Sequence, residues 1–151
     1  MPISITRAEE SHLERLVVLF DAYRSFYGQE SDRAATRHFL ADRIKKGDSI
    51  LFVAVDVKTE NLCGFAQLYP SYSSVALRRI WILNDLFVSE ESRRTGIGQQ
   101  LMAAVAELAR TTQAARVDLA TARENASAKK LYESNAYRID DVFDHYKLVV
   151  E

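Results

Sequence analysis

Leu83-Asn84-Asp85-Leu86-Phe87-Val88-Ser89-Glu90-Glu91-Ser92-Arg93-Arg94-Thr95-Gly96-Ile97-Gly98-Gln99-Gln100-Leu101 reads as an apolar strand that passes through a polar, glycine-containing loop into a helix. Gly96 and Gly98 permit a tight turn, so the amides from Arg94 to Gln99, by way of Thr95 and Ile97, can converge on one concavity at the positive end of the helix dipole. Such a concavity suits an anion. Two familiar phosphate loops are excluded by the neighbours of these glycines. The G-x-x-x-x-G-K-[ST] loop needs a Lys-Ser/Thr pair, and Gln99-Gln100 stand in its place. The dinucleotide fingerprint needs a third glycine where Leu101 stands. An ordinary strand-loop-helix joint would use the same glycines to shape its turn, so the rest of the chain has to decide.

With 151 residues, 48% hydrophobic and 27% charged, the chain reads as one globular domain over 1–151 with enough apolar material for a core. A net charge of −1 argues against a nucleic-acid partner, which would need a basic face. The single cysteine, Cys63, rules out an internal disulfide or a cysteine zinc cluster, fits a reducing cytosol, and reads as a buried small hydrophobe. The longest unbroken apolar run, Ile50 to Val55, is too short to cross a bilayer, and no cationic-then-apolar leader is visible. His12, His38 and His145 have no mutual spacing that suggests a metal site. The expectation is a cytoplasmic protein with no metal, no membrane association and no nucleic acid.

Ile3 and Ile5 alternate with polar residues as a short opening strand. From about Glu10 to Tyr27, Leu13, Leu16, Val17, Phe20, Tyr23 and Tyr27 recur at helical steps, with Gly28 as the stop. A second helix is expected from Ser31, with Asp32 in its first turn, to a stop at Gly47. Ile50 to Val55 then reads as a buried strand. After a turn at Lys58-Thr59-Glu60-Asn61, Leu62 to Tyr69 and Ala76 to Val88 continue an antiparallel meander. A helix follows the glycine loop and ends near Thr111, Val117 to Thr121 is a short strand, and Asn125 to Glu133 has helical spacing. Two terminal strands are expected, at Tyr137 to Ile139 and Phe143 to Val150. The strand, helix, strand segment from Ala76 to Thr121 implies a parallel pair inside a mostly antiparallel sheet. The fold class is therefore α/β, a mixed sheet flanked by helices in the order β-α-α-β-β-β-α-β-α-β-β.

Two motifs in this order carry a resemblance. Asp85-Leu86-Phe87-Val88 leading into Arg93-Arg94-Thr95-Gly96-Ile97-Gly98 resembles the coenzyme A loop of the GNAT superfamily of N-acetyltransferases. Asn125-Ala126-Ser127-Ala128-Lys129-Lys130-Leu131-Tyr132 is similar to that family's N-x-x-A-x-x-[LF]-Y helix. The likeness spans nearly the whole chain and implies the GNAT fold. Gly64 to Tyr69, Leu83 to Val88 and His145-Tyr146-Lys147-Leu148 look most like the branch of spermidine/spermine and yeast-type histone and polyamine acetyltransferases. The resemblance implies acetyl-CoA as cosubstrate, a primary amine such as a polyamine or a lysine side chain as acceptor, direct attack in a ternary complex, and frequent homodimers. Two positions depart from the pattern. Asn84 stands where the polyamine enzymes are assigned a carboxylate base, and an amide cannot take a proton. Asn135 replaces a common glycine, which a left-handed cap tolerates.

Acyl transfer from a thioester to an amine needs a neutral amine, a stabilised oxyanion and a proton for the leaving thiolate. An aliphatic amine of pKa about 10.4 is almost wholly protonated at neutral pH, so a base or a water chain must help. Residues two apart on a strand present backbone groups to one edge, so Leu86 and Val88, with Phe87 between them, can pair with one extended ligand. By the resemblance that ligand is the pantetheine arm, with the oxyanion met by a main-chain N–H near Leu86. Arg93 and Arg94 flank the loop and suit a pyrophosphate, although exposed arginines are as often solvated. Asn125 and Tyr132 lie two helical turns apart on one face. The resemblance makes Asn125 a pantetheine contact and Tyr132 the acid that protonates the thiolate; a tyrosine that merely anchors its helix is the alternative. Lys129 and Lys130 read as a solvated face. For the base, Asp85 is a candidate, although strand alternation turns it away from Asn84 unless a bulge intervenes. Glu30, Asp32 and a water held by Asn84 or a tyrosine are the alternatives. Tyr23, Phe26 and Tyr27, with Glu30, can form the wall of an acceptor pocket suited to a cation. Two other functions stay open: an acyl-CoA binding domain without chemistry, and an aminoglycoside-type acetyltransferase.

Overall fold

β4 (Arg78–Val88) runs antiparallel to β3 (Leu62–Ser73), which pairs with β2 (Ile50–Asp56), which in turn pairs with β1 (Ile3–Arg7). β5 (Val117–Leu119) joins β4 in parallel, giving a five-stranded mixed sheet in the order β1-β2-β3-β4-β5. The helices are α1 (Leu13–Phe26), entered through a 3-10 turn at Glu10–His12, then α2 (Arg33–Lys46), α3 (Ile97–Thr111) and α4 (Ala126–Ser134). The computed structural model describes residues 2–151, which fall into two compact units divided after Ala120. The element order agrees with expectation through α4, and the class is the mixed α/β one.

In the first unit the sheet is covered on both faces. Leu16, Val17 and Phe20 of α1 and Leu40 of α2 pack with Leu51, Val53 and Phe65, the Phe20 and Phe65 rings stacking at 4.9 Å between centroids. α3 buries Ile97, Leu101, Met102 and Val105 against the other face. Gly64 is what lets it close: a Cβ there would stand 2.8 Å from the Phe87 carbonyl oxygen and 3.4 Å from side-chain carbons of Ile97 and Leu101.

Several boundaries move for local reasons. Asp32, not Ser31, caps α2, its Oδ1 accepting the Ala35 N–H at 3.0 Å, while the Ser31 hydroxyl donates to Asp21. β3 continues through Pro70 to Ser73, and β4 begins at Arg78 rather than Ala76. Gly28 and Gly47, at φ of 82° and 61°, end α1 and α2 as expected.

In the second unit α4 starts at the Asn125 cap and ends at a left-handed Ala136 (φ 69°), so Ala136 rather than Asn135 takes that conformation. The expected strands at Tyr137–Ile139 and Phe143–Val150 are not formed. Alternating apolar residues confer strand propensity, but a strand also needs a ladder partner, and here Asp140 Oδ1 accepts the amides of Val142 and Phe143 in a local turn. Ile139, Val142, Phe143, Tyr146, Leu148, Val149 and Val150 are exposed.

Candidate active site

The bulge in β4 organises the site. Gln67 stands opposite Asp85 and Leu68 opposite Leu83, which leaves Asn84 without a partner on β3. One extra residue inverts the side-chain alternation. Leu83, across from Leu68, points to the α3 face, whereas Asp85, across from Gln67, points with Phe65 and Phe87 to the α1 face. Asn84 is exposed.

At the same place β4 loses its other neighbour. β5 pairs with Trp81, Ile82 and Leu83 and pairs no further, while β4 runs on to Val88. From Asn84 to Val88 the strand has β3 on one side and an open edge on the other, and Leu86, Phe87 and Val88 are partly exposed along it. That edge leads through a 3-10 turn at Glu90–Ser92 into the glycine loop. Arg94 (φ 62°) and Gly96 (φ 85°) supply the left-handed turns. Gly98 is already helical inside α3, so the turn is made by Arg94 and Gly96, and Gly98 contributes a bare backbone instead. Thr95 ties the loop down by donating its hydroxyl to the Ser92 carbonyl. The first bond of α3 is Gln100 N–H to Gly96 O at 3.1 Å, so the amides of Ile97 and Gly98 lie in the positive end of the helix. Ile97 joins only through its backbone, its side chain being 1% exposed. Gln99 is exposed on the first turn.

Arg93 and Arg94 differ in placement. Both are exposed, but Arg93 donates from Nε to the Val88 carbonyl at 3.1 Å and lies over the rings of Phe26 (5.6 Å) and Phe87 (5.5 Å). Arg93 thus braces the loop against the end of β4 and the end of α1.

The Asp85 carboxylate is held from three sides. Oδ1 accepts the Tyr23 hydroxyl at 2.8 Å and Asn84 Nδ2 at 3.1 Å, and Oδ2 accepts Gln67 Nε2 at 3.1 Å. Since a carboxylate only accepts, the Gln67 amide must turn its nitrogen toward it and its oxygen toward Ser49, whose hydroxyl donates at 2.9 Å. Gln67 is fully buried. Its neighbour along β3, Tyr69, has its phenol pushed up to about 12, first by burial and then by the Asp85 charge.

The aromatic residues at the end of α1 cluster with Phe87 of β4. Tyr23 and Phe26 each lie 5.2 Å from Tyr27 between ring centroids, and Phe87 closes the group at 5.6 Å from Tyr23 and 6.2 Å from Phe26. Glu30 is exposed, and its carbonyl accepts Arg24 Nη1 at 3.2 Å. In the second unit, Asn125 Oδ1 accepts the Ala128 N–H at 3.2 Å and so caps α4. Tyr132, partly exposed, lies 6.1 Å from the Tyr137 ring. Burial pushes the Tyr137 phenol up. Gln67 and Ser49 are the members that sequence reasoning missed. The sign was there, since Gln67 interrupts the otherwise apolar run from Leu62 to Leu68.

The acetyltransferase (GNAT) family model matches residues 15–137. The chain belongs to the GNAT family of acetyltransferases. It is 38% identical over 148 residues, 98% of each chain, to the uncharacterised N-acetyltransferase YhfO of Bacillus subtilis (strain 168). It is 33% identical over 138 residues to a probable acetyltransferase of Haemophilus influenzae, covering 91% of this chain and 92% of that one. A solved probable acetyltransferase superposes on it with a TM-score of 0.94 at 40% identity, covering 98% of both chains. The GNAT chain is thus an N-acetyltransferase, and its family uses acetyl-CoA. Among the described residues no helix of this GNAT protein is long and apolar enough to cross a membrane.

Proposed function

We propose that this GNAT enzyme binds acetyl-CoA along the open edge of β4 and acetylates a primary amine, a small polyamine-like molecule or a lysine side chain, by direct attack in a ternary complex. The observation that carries the reading is the end of β5 pairing at Leu83 while β4 continues to Val88 and feeds the glycine loop. An extended amide chain fits such an edge because strand backbone offers donors and acceptors at a regular spacing. Leu86, Phe87 and Val88 would hold the pantetheine arm, and Arg94 to Gln99 with Arg93 the pyrophosphate. The coenzyme supplies the acetyl thioester. The Leu86 N–H, fixed by the strand, is the donor for the thioester carbonyl oxygen. Asp85, with Asn84 donating to its carboxylate, serves deprotonation of the amine, Tyr132 protonates the departing sulfur, and Asn125 steadies the pantetheine through its amide nitrogen. Tyr23, Phe26, Tyr27 and Glu30 form the acceptor side, where rings and a carboxylate suit a cation. The same proposal takes 1–151 as one catalytic domain that works in the cytosol as a homodimer.

The test is release of coenzyme A thiol from acetyl-CoA by purified protein across polyamines, amino acids, lysine peptides and aminoglycosides. Turnover with at least one polyamine or lysine peptide is expected. A protein that binds acetyl-CoA and releases thiol with no amine would overturn it, and turnover confined to aminoglycosides would replace the acceptor class. Light scattering checks the dimer.

A further inference from the structure

The Asp85 carboxylate sits beside the open edge but is closed to a substrate. It is 7% exposed, and three donors, Tyr23, Asn84 and Gln67, already occupy its two oxygens. Burial leaves an ammonium group little access to the acceptor capacity that remains. Tyr23, by contrast, is half-buried on the acceptor wall. Its single hydroxyl proton is directed at Asp85, so toward an amine a phenol oxygen so engaged offers acceptor capacity. Phe20, Tyr27, Phe65 and Phe87 surround its ring at 5.2 to 5.6 Å and fix its direction.

We propose that Tyr23 meets the acceptor amine and passes its proton to Asp85, with Gln67 and Ser49 as positioning residues that hold the carboxylate for this task. The proposal rests on the acetyltransferase reading above. In the step, an N–H bond of the ammonium breaks as that proton bonds to the Tyr23 oxygen, and the original Tyr23 O–H bond breaks as its proton bonds to Asp85 Oδ1. The ammonium and carboxylate charges cancel, the phenol is regenerated, and the neutral amine keeps its lone pair for attack. After turnover the proton leaves Asp85 to solvent by the reverse exchange. The bulge at Asn84 makes the arrangement possible, because without it Asp85 would face α3.

Other titratable groups surround the pair. Tyr27 packs on Tyr23 from α1, and Tyr69 on β3 stays protonated up to about 12. Arg43 and Asp48, paired at 2.7 Å, act on Tyr69 from α2 and the turn after it, and Arg93 lies over Phe87 from the loop.

The experiment measures thiol-release kinetics for wild type, Tyr23→Phe, Asp85→Asn and the double variant with an accepted amine, at pH values from about 6 to 10, with thermal melting to verify folding. Tyr23→Phe keeps the ring and should lower kcat/KM for the amine by about 10²-fold near neutrality with KM for acetyl-CoA unchanged. The loss should shrink as pH approaches the amine's own pKa of about 10.4, where no base is needed. Asp85→Asn should lose as much, and the double variant no more than either alone. A wild-type rate in Tyr23→Phe, a loss that does not vary with pH, or losses that multiply would overturn the proposal while leaving the enzyme an acetyltransferase. Should Asp85→Asn fail to fold, the pH profile of Tyr23→Phe decides. A wild type that turns over no amine at all overturns both readings together.

Discussion

The hydroxyl of Tyr23 stands 2.8 Å from Oδ1 of Asp85, tying α1 to β4 across 62 positions of sequence. The contact joins the aromatic cluster at the end of α1 to the strand whose other edge is unpaired beyond Leu83. It also places a buried carboxylate among aromatic rings, where each of its hydrogen bonds matters.

Gln67→Leu should therefore be costly. The substitution removes a donor from Asp85 and strands the Ser49 hydroxyl, and taking one partner from a buried polar group costs about 1–3 kcal/mol. Urea unfolding should show a lower midpoint with an unchanged slope, and Gln67→Glu, which sets a second carboxylate against Asp85, should be worse still.

Gly64→Ala is expected to destabilise by about 1–3 kcal/mol, because its Cβ would lie 2.8 Å from a main-chain oxygen that cannot swing aside. That oxygen belongs to Phe87, on the segment proposed to hold the pantetheine arm. A raised KM for acetyl-CoA should therefore accompany the loss seen by thermal melting.

Arg93→Ala should raise KM for acetyl-CoA by about tenfold with little change in kcat, since the side chain braces the end of β4 through the Val88 carbonyl and suits an anion. Steady-state kinetics with varied acetyl-CoA checks it.

Asp21 gives a prediction in pH. The Ser31 hydroxyl and the Asp32 amide hold its carboxyl below the ordinary value of 3.8, with Arg33 and Arg24 adding to the effect. Its contribution to stability is complete above 3.8, where the unfolded chain is also ionised, and fades as pH falls through the lower folded value. Denaturant midpoints measured down this range should fall less steeply in Asp21→Asn than in wild type, from a lower starting stability.

Much of this was legible in residue order, and the exceptions have physical causes. The helical stripe from Leu13 to Tyr23, the Gly47 stop and the passage from β4 to the glycine loop each depend on neighbours within a turn or two, so spacing reveals them. The direction of Asp85 does not, because it depends on a one-residue register shift between β3 and β4 that alternation within β4 cannot show. Gln67 was visible as a polar residue among apolar ones, but its partners, Ser49 and Asp85, each lie 18 positions away. The terminal segment failed the other way: its alternation is real, yet pairing belongs to the partner as much as to the strand. Gly98 had a turn in view, while the backbone gave it a place inside α3, and the cap that Asn125 makes on α4 was not foreseen.

The most direct measurement of the central claim is an amide chemical-shift titration of labelled protein with coenzyme A. Binding along the open edge predicts that the largest changes fall on Leu86 to Val88 and on Arg94 to Gln99, with small ones on β1 and β2. Changes that spare both segments, or that cluster on α2, would contradict it.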